Sequence, residues 1–210
     1  FVPHNGCPHQ CSFCSQRSIT GQQSQPTPED VRRTLDQAVS DLGERIRESE
    51  IAFFGGSFTA IDRRYMISLL DTAYQYVKQY NFTGIRLSTR PDAVDAEVLR
   101  LLRDYGVTSI ELGAQSMDDR ILGLNGRGHT SRDVEEASAL IQEFGFSLGL
   151  QMMTGLYGDT PQKSYNTALR LCALHPDAVR IYPTVVLEGT ELASLYRQGI
   201  YRPPAPEKSA

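Results

Sequence analysis

The sequence predicts an α/β protein in which six strand–helix units form a partial, TIM-type (β/α)6 barrel. Short apolar runs alternate with segments whose apolar residues recur at helical spacing. Capping residues and glycines separate these segments and mark where helices begin and end. Glycine and polar residues follow the apolar runs, where parallel α/β sheets bind their ligands. The alternation implies a parallel sheet with right-handed crossovers, one that falls short of a closed barrel.

The six predicted strands are short apolar runs bounded by turn residues. They comprise residues 1–3, 51–54, 84–89, 107–114, 146–153 and 179–182. The first helix has a strong start signal in Thr27 and Pro28, and its periodicity extends to about Glu48. Later helices are expected to begin at Asp62, Asp95, Asp118, Ser131, Pro161 and Thr190. Residues 16–28, rich in polar residues, are expected to form an extended loop.

Composition indicates one sizeable domain of ordinary globular character, with 40% hydrophobic and 22% charged residues. We assign residues 1–200 to this core domain and residues 201–210 to a linker or the start of a further segment. The net charge of −4 gives no support from bulk charge for nucleic-acid binding. The sequence has no long apolar run and no signal-peptide pattern, so we expect a cytoplasmic protein without a membrane partner.

The most informative motif is the C-x3-C-x2-C spacing of Cys7, Cys11 and Cys14. Three thiolates on one short loop can bind three irons of a [4Fe–4S] cluster and leave the fourth iron open. Two other interpretations remain. A structural zinc site needs four ligands, and the fourth would come from one of three residues. These are His4, His9 and Cys172. A disulfide would pair two of the three clustered cysteines and leave the third alone.

Polar and glycine residues after the later strands suggest a ligand site. Two glycines, Gly55 and Gly56, let a ligand approach the backbone closely, although a plain strand-to-helix turn would also account for them. Arg90 suits a ligand carboxylate, and a salt bridge to Asp92 would explain it equally well. Strand alternation places Glu111, Gly113 and Gln115 on one face, where buried polar groups need a partner or a ligand.

The cysteine spacing, with the aromatic Phe13 before the last cysteine, resembles the cluster loop of the radical S-adenosylmethionine (SAM) superfamily. That resemblance implies that SAM is the fourth cluster ligand and that one electron cleaves it to a 5′-deoxyadenosyl radical. It implies SAM contacts from Phe13, Gly55, Gly56, Ser57, Ser88, Arg90, Gln115, Arg127, Gln151 and Met153. Ordinary core packing would account for Met153 equally well.

Two of these positions are also similar to oxygen-independent coproporphyrinogen oxidase. Gln115 resembles the glutamine that contacts the SAM ribose there, and Arg127 resembles its SAM-contacting arginine. Related radical SAM enzymes often have acidic residues where this chain has Ser88 and Gln151. A lone loop histidine such as His129 is more often a hydrogen-bonding residue than a catalyst.

A narrower resemblance is to the radical SAM core of the elongator catalytic subunit, and it covers nearly the whole chain. It rests on five strings: Gly55-Gly56-Ser57-Phe58, Thr89-Arg90-Pro91-Asp92, Glu111-Leu112-Gly113-Ala114-Gln115-Ser116, Arg127-Gly128-His129-Thr130 and Ile181-Tyr182-Pro183-Thr184. The stretch from Glu188-Gly189-Thr190 through Tyr201-Arg202-Pro203 is similar to that family too. That family modifies wobble uridine in transfer RNA and carries an acetyltransferase domain as well. Its cysteines are spread over a longer loop than the compact one here.

These resemblances predict a radical SAM enzyme with a [4Fe–4S] cluster and SAM as cofactors. The expected substrate is an RNA base, and the expected partners are tRNA and an electron donor such as flavodoxin or ferredoxin. A porphyrinogen or another small molecule is the alternative substrate. The non-enzyme alternative is an iron–sulfur or zinc binding module.

Overall fold

The computed structural model describes residues 1–2, 7, 10–15 and 24–204, and its centre is a parallel sheet. The five strands are β1 Glu50–Phe53, β2 Gly84–Thr89, β3 Val107–Gln115, β4 Ser147–Thr154 and β5 Ala178–Pro183. Their spatial order is the same as their order in the chain, and all four pairings are parallel. The sheet curls into a half-barrel, which confirms the predicted fold class.

The predicted strand at residues 1–3 contributes a single bridge in the described part of the chain. Val2 pairs with Gly55 in parallel, donating from its amide to the Phe54 carbonyl at 2.7 Å and accepting from the Gly56 amide at 2.9 Å. Gly55 has a φ of +133°, so the backbone leaves the strand direction there and the ladder does not continue.

Seven α-helices connect and flank the strands in the described residues. They are α1 Pro28–Leu42, α2 Arg63–Tyr80, α3 Ala96–Asp104, α4 Asp119–Leu124, α5 Ser131–Glu143, α6 Pro161–Cys172 and α7 Glu191–Arg197. Most helix starts agree with the caps in the sequence; Thr27 and Asp30, for example, form a capping box. Ser131 is not the cap of α5, because Thr130 caps it in a capping box with Asp133. The first helix is shorter than predicted, because Gly43 ends it with a φ of +54° and a 3₁₀ turn covers Gly43–Glu48. None of the described helices is long and apolar enough to span a membrane.

The two faces of the sheet differ sharply in polarity. The outer face carries Leu87, Ile110, Leu148 and Leu150, which are completely buried in the core beneath the helices. The inner face carries charged and amide side chains, because the alternate positions of the same strands hold polar residues. These are Glu50, Arg86, Ser88, Glu111, Gln151 and Arg180. The polar inner face is what positions a ligand site inside the half-barrel.

The segment after α7 packs on the end of β4. Tyr201 is buried, and its hydroxyl donates to the Gly155 carbonyl at 2.7 Å. Pro204 lies against the same glycine. Residues 205–210 of the segment that we predicted as a linker, and residues 16–23 of the predicted loop, lie outside the described residues.

Candidate functional site

A cavity of about 600 Å³ lies at the carboxyl ends of the strands, inside the half-barrel. The predicted site residues that line it are Cys7, Cys11, Phe13, Cys14, Gly55, Gly56, Ser57, Ser88, Arg90, Gln115, Arg127 and Gln151. Gln10, Ser15, Thr89 and Gly113 line it as well. Parallel strands end at one edge of their sheet, so residues far apart in sequence meet there. Met153 is the one predicted site residue that is not part of the lining.

The cysteine loop is anchored to two helices on the far side of the cavity. Ser12 donates its hydroxyl to Asn125 Oδ1 at 2.8 Å, and its amide donates to the Asn125 carbonyl at 3.1 Å. The Leu192 amide at the start of α7 donates to the Ser12 carbonyl at 2.8 Å. Asn125 is fully buried and also bonds the Ile121 and Tyr157 carbonyls, so it ties the loop to α4 and to the end of β4.

The three loop cysteines line one cavity without converging on a single point. No disulfide joins any of the four cysteines, all of which lie in the described residues. Within that part of the chain, no group of three ligand side chains is gathered tightly enough for one metal ion. Cys172 is the last residue of α6, a 12-residue helix that begins after the carboxyl end of β4. The helix runs back along the sheet, so Cys172 lies toward the amino ends of the strands, opposite the cavity.

Arg127 connects the cysteine loop to the sheet. Its Nη1 donates to Cys11 Sγ at 3.3 Å, and its Nη2 donates to the Gly113 carbonyl at 2.6 Å. The residue is buried, and its Nε has no hydrogen-bond partner. Arg127 thus holds the Cys11 side chain in place against the end of β3.

Arg90 forms the salt bridge to Asp92 that was one of its two interpretations. It forms a two-point ion pair with Asp92, with Nε to Oδ1 at 2.9 Å and Nη2 to Oδ2 at 2.8 Å. Burial alone would raise the pKa of Asp92, but the Arg90 hydrogen bonds and charge hold it below its usual value. The third nitrogen, Nη1, is buried without a partner in the wall of the cavity. The ion pair therefore fixes the side chain and leaves one charged donor for a ligand.

The Ser57 hydroxyl links the glycine turn after β1 to the end of β2. Ser57 Oγ lies 2.8 Å from Thr89 Oγ1, and the Arg90 amide donates to Ser57 Oγ at 3.2 Å. A Cβ on Gly55 would lie 2.3 Å from the Val2 carbonyl oxygen. The glycine is therefore required by the approach of the chain's own backbone.

Gln115 enters the cavity because β3 is irregular at its end. The pairing of β3 with β4 shifts register between Gly113 and Gln115, and Gln115 has a φ of +64°. His129 Nε2 lies 3.2 Å from the Ala114 carbonyl oxygen, inside this bulge. Burial, followed by the charge of Arg127, lowers the pKa of His129 to about 4, so the ring is neutral and donates to that carbonyl. Gln115 Oε1 is left buried and unpartnered.

Glu111 is the centre of the polar network on the inner face. It is 5% exposed and accepts from Arg86 Nη1 at 3.3 Å, Arg180 Nη2 at 2.9 Å and Gln151 Nε2 at 2.6 Å. A carboxylate can only accept, so the Gln151 amide must turn its NH₂ group toward Glu111. The Gln151 carbonyl oxygen is then available to a hydrogen-bond donor in the cavity.

Sequence reasoning missed the residues that support the site. Asn125 belongs to none of the motifs recognised in the sequence, and Thr89 appeared there only at the end of a predicted strand and in one of the strings that carry the family resemblance. A signal for Asn125 did exist, since a polar residue immediately after a short capped helix is a common place for structural hydrogen bonds.

The cavity fits SAM and a cluster in volume and in polar character. Its volume is within the range of about 300–1,000 Å³ that is usual for small-molecule sites. Four of its polar residues present buried atoms that lack a partner in the described structure: Ser88 Oγ, Arg90 Nη1, Gln115 Oε1 and Arg127 Nε. Unpaired buried polar atoms are costly unless a ligand satisfies them. A cationic donor suits the carboxylate of SAM, and amide and hydroxyl oxygens suit its ribose and amino group.

Comparison with known proteins supports this interpretation of the site. The chain matches the radical SAM superfamily over residues 1–171. It is 28% identical to a tRNA uridine(34) acetyltransferase of Dehalococcoides mccartyi, over 94% of this chain and 50% of that protein. It is 31% identical to human elongator complex protein 3, over 84% of this chain and 36% of that protein. The chain thus spans half or less of the length of these two relatives.

Solved structures give the same result for the fold. The archaeal Elp3 of Methanocaldococcus infernus superposes with a TM-score of 0.75 at 26% identity, covering 87% of this chain and 47% of that one. Coproporphyrinogen III oxidase of Escherichia coli superposes with a TM-score of 0.66 at 19% identity, covering 99% of this chain and 48% of that one, and it shows the fold alone. These relatives indicate an enzyme, as the sequence predicted.

Proposed function

Because the chain belongs to the radical SAM superfamily, we propose that it cleaves SAM reductively and directs the resulting radical at a base of tRNA. The observation that carries this proposal is the convergence of three cysteines and four unpartnered polar atoms on one cavity. The substrate rests on the relatives, which include tRNA uridine(34) acetyltransferases, so uridine 34 is the proposed target.

The residues of the cavity have distinct proposed roles. Cys7, Cys11 and Cys14 hold a [4Fe–4S] cluster, which when bound supplies the electron that generates the 5′-deoxyadenosyl radical from SAM. Arg90 Nη1 binds the SAM carboxylate, and its ion pair with Asp92 keeps it in place. The proposed sugar and amino-group contacts come from Gly55, Gly56, Ser57, Ser88, Gln115 and Gln151, all in the lining.

Two residues also shape the surroundings of the proposed cluster. Phe13 covers the site beside the last cysteine and excludes water from it. Arg127 donates to Cys11 Sγ and ties it to β3. The reductant is proposed to be a small electron-transfer protein of the flavodoxin or ferredoxin type, acting in the cytoplasm.

The substrate proposal is tested with tRNA and the full-length protein under anaerobic conditions. We expect a salt-sensitive mobility shift with tRNA, with or without SAM and reductant. We also expect a new modified uridine, detected by mass spectrometry after digestion to nucleosides, only when SAM and reductant are present. The Cys11→Ala variant should retain RNA binding and lose the modification. Turnover of a porphyrinogen without any tRNA modification would contradict the proposal. The likeness to coproporphyrinogen oxidase supports the fold only and does not support a porphyrinogen substrate.

A further inference from the structure

The inner face of the half-barrel continues past the SAM cavity onto the edge strand β5. Register pairing places Arg180 beside Gln151 and Tyr182 beside Met153. Gln151 is part of the cavity lining, so Arg180 lies one strand spacing, about 5 Å, beyond it, and Tyr182 lies two residues further along β5. Neither Arg180 nor Tyr182 has a role in the SAM site described above.

Both side chains are accessible, and the Arg180 side chain is also pre-organised. The Arg180 guanidinium is bound to buried Glu111 at 2.9 Å and lies over the Phe54 ring at 5.9 Å, across the half-barrel. Its side chain nevertheless remains 42% exposed. Tyr182 is 43% exposed and lies on the same face of β5, two residues after Arg180. Side chains already held in one geometry lose little conformational entropy when a ligand binds them.

The charge balance of this face selects against an anionic ligand. Arg180 and Arg86 are both paired with Glu111, and Arg86 is paired with Glu50 as well. The two positive and two negative charges cancel, so an incoming phosphate or carboxylate meets no net attraction. A neutral ring with carbonyl oxygens still gains binding free energy here. The exposed guanidinium can donate a hydrogen bond to one of its oxygens, and the tyrosine ring can stack on its face.

We propose that Arg180 and Tyr182 form a subsite for the target base of the substrate, next to SAM. The base stacks on Tyr182, and one of its exocyclic carbonyl oxygens accepts from Arg180. A base must leave its helical stack to be modified, and aromatic side chains commonly receive it. This inference rests on the proposed function, since it names where the RNA base binds.

The test compares two anticodon stem-loop RNAs, one with uridine 34 and one with an abasic site at that position. Stacking on an aromatic side chain is worth about 5- to 150-fold in affinity per base. The wild-type full-length protein, loaded with SAM, should bind the uridine RNA more tightly by that factor. Tyr182→Ala should remove the difference, and Tyr182→Phe should restore most of it. Arg180→Lys should reduce it, because an ammonium lacks the planar donor pair.

The chain offers a matched control in Ile181→Ala. Ile181 is the neighbouring residue, is 56% exposed and points to the opposite face of β5. It should keep the full preference for the uridine RNA, and all variants should bind SAM as the wild type does. A Tyr182→Ala variant with an unchanged preference would overturn the subsite. Tight, Arg180-dependent binding of a tetracarboxylate porphyrinogen, without any preference for uridine RNA, would overturn it too.

Failure of the proposed function gives a different result. In that case the wild-type protein would leave tRNA unmodified in the nucleoside assay. If tRNA is modified but the Tyr182→Ala variant still prefers the uridine RNA, only the subsite is wrong.

Discussion

Replacing Asn125 with alanine should destabilise the protein and loosen the cysteine loop, because it removes one of the three hydrogen bonds that anchor Ser12. The buried amide accepts from Ser12 Oγ at 2.8 Å and from the Tyr157 amide at 3.3 Å. It also donates to the Ile121 and Tyr157 carbonyls at 2.9 Å each. Each hydrogen bond contributes a net of about 0.5–1.5 kcal/mol to stability. The substitution leaves all the buried groups that bond the Asn125 side chain without that partner. We therefore expect the free energy of unfolding to fall by about 2–4 kcal/mol.

Urea unfolding of the cluster-free protein measures this loss, and the visible absorbance of reconstituted protein measures cluster retention. Ser12→Ala removes only the link to the loop, so it should cost about 1 kcal/mol and lower cluster retention by itself. In a double-mutant cycle the two changes should couple by about 1 kcal/mol. Asn166→Ala is the matched control, because Asn166 is an exposed asparagine of α6 with one amide contact. An Asn125→Ala variant as stable as this control would refute the reasoning.

Three further predictions follow from the cavity wall. Arg127→Met should lower the reduction potential of the reconstituted cluster by up to roughly 100 mV in a redox titration, because the donor to Cys11 Sγ is lost. Gly55→Ala should lower the free energy of unfolding by about 1–3 kcal/mol in urea, because its Cβ would lie 2.3 Å from the Val2 carbonyl oxygen. Between about pH 6.5 and pH 4, the His129→Gln variant should lose less free energy of unfolding than the wild type does. Urea unfolding at several pH values measures this difference.

The sign of the histidine effect follows from proton binding. The folded-state pKa of about 4 lies below the usual 6.5, so in that interval the unfolded chain binds a proton that the folded protein does not. The contribution of His129 to the free energy of unfolding is therefore fully present above pH 6.5. It falls by up to about 3 kcal/mol as the pH is lowered toward 4. Glutamine can keep the donor to the Ala114 carbonyl without titrating. An unchanged pH profile in the variant would show that His129 is not responsible.

The other two predictions have matched controls in the same region. Arg120→Met removes an exposed arginine of α4 and should leave the potential unchanged. Gly123→Ala adds a methyl group with no atom within 4 Å, in a helix, and should be neutral or slightly stabilising. A potential that does not move in Arg127→Met, or a Gly55→Ala variant as stable as Gly123→Ala, would contradict the geometry.

The sequence was sufficient for the fold because its local signals agree with one another. The β2 bounds were predicted as the structure has them, and the caps at Asp62 and Asp95 begin their helices as expected. The rule that ligand residues follow parallel strands brought nearly all the predicted residues to one cavity. Gly43 was not recognised as a stop, because the apolar periodicity continued through it to Ile46.

The support of the site depended on contacts that no local pattern contains. The bond from Ser12 to Asn125 joins residues 113 positions apart. The bulge that turns Gln115 inward depends on pairing with β4 and on His129. Met153 has the alternation of an inner-face residue, yet it lies beside Tyr182 and outside the cavity lining, because the lining follows β4 only as far as Gln151.

The most direct test of the central claim is made on anaerobically purified protein reconstituted with iron and sulfide. After addition of dithionite and SAM, 5′-deoxyadenosine is measured by chromatography alongside the iron content. The account predicts about four irons per chain and 5′-deoxyadenosine that disappears when Cys7, Cys11 and Cys14 are all replaced by alanine. Stoichiometric zinc in place of iron, with no 5′-deoxyadenosine formed, would contradict it.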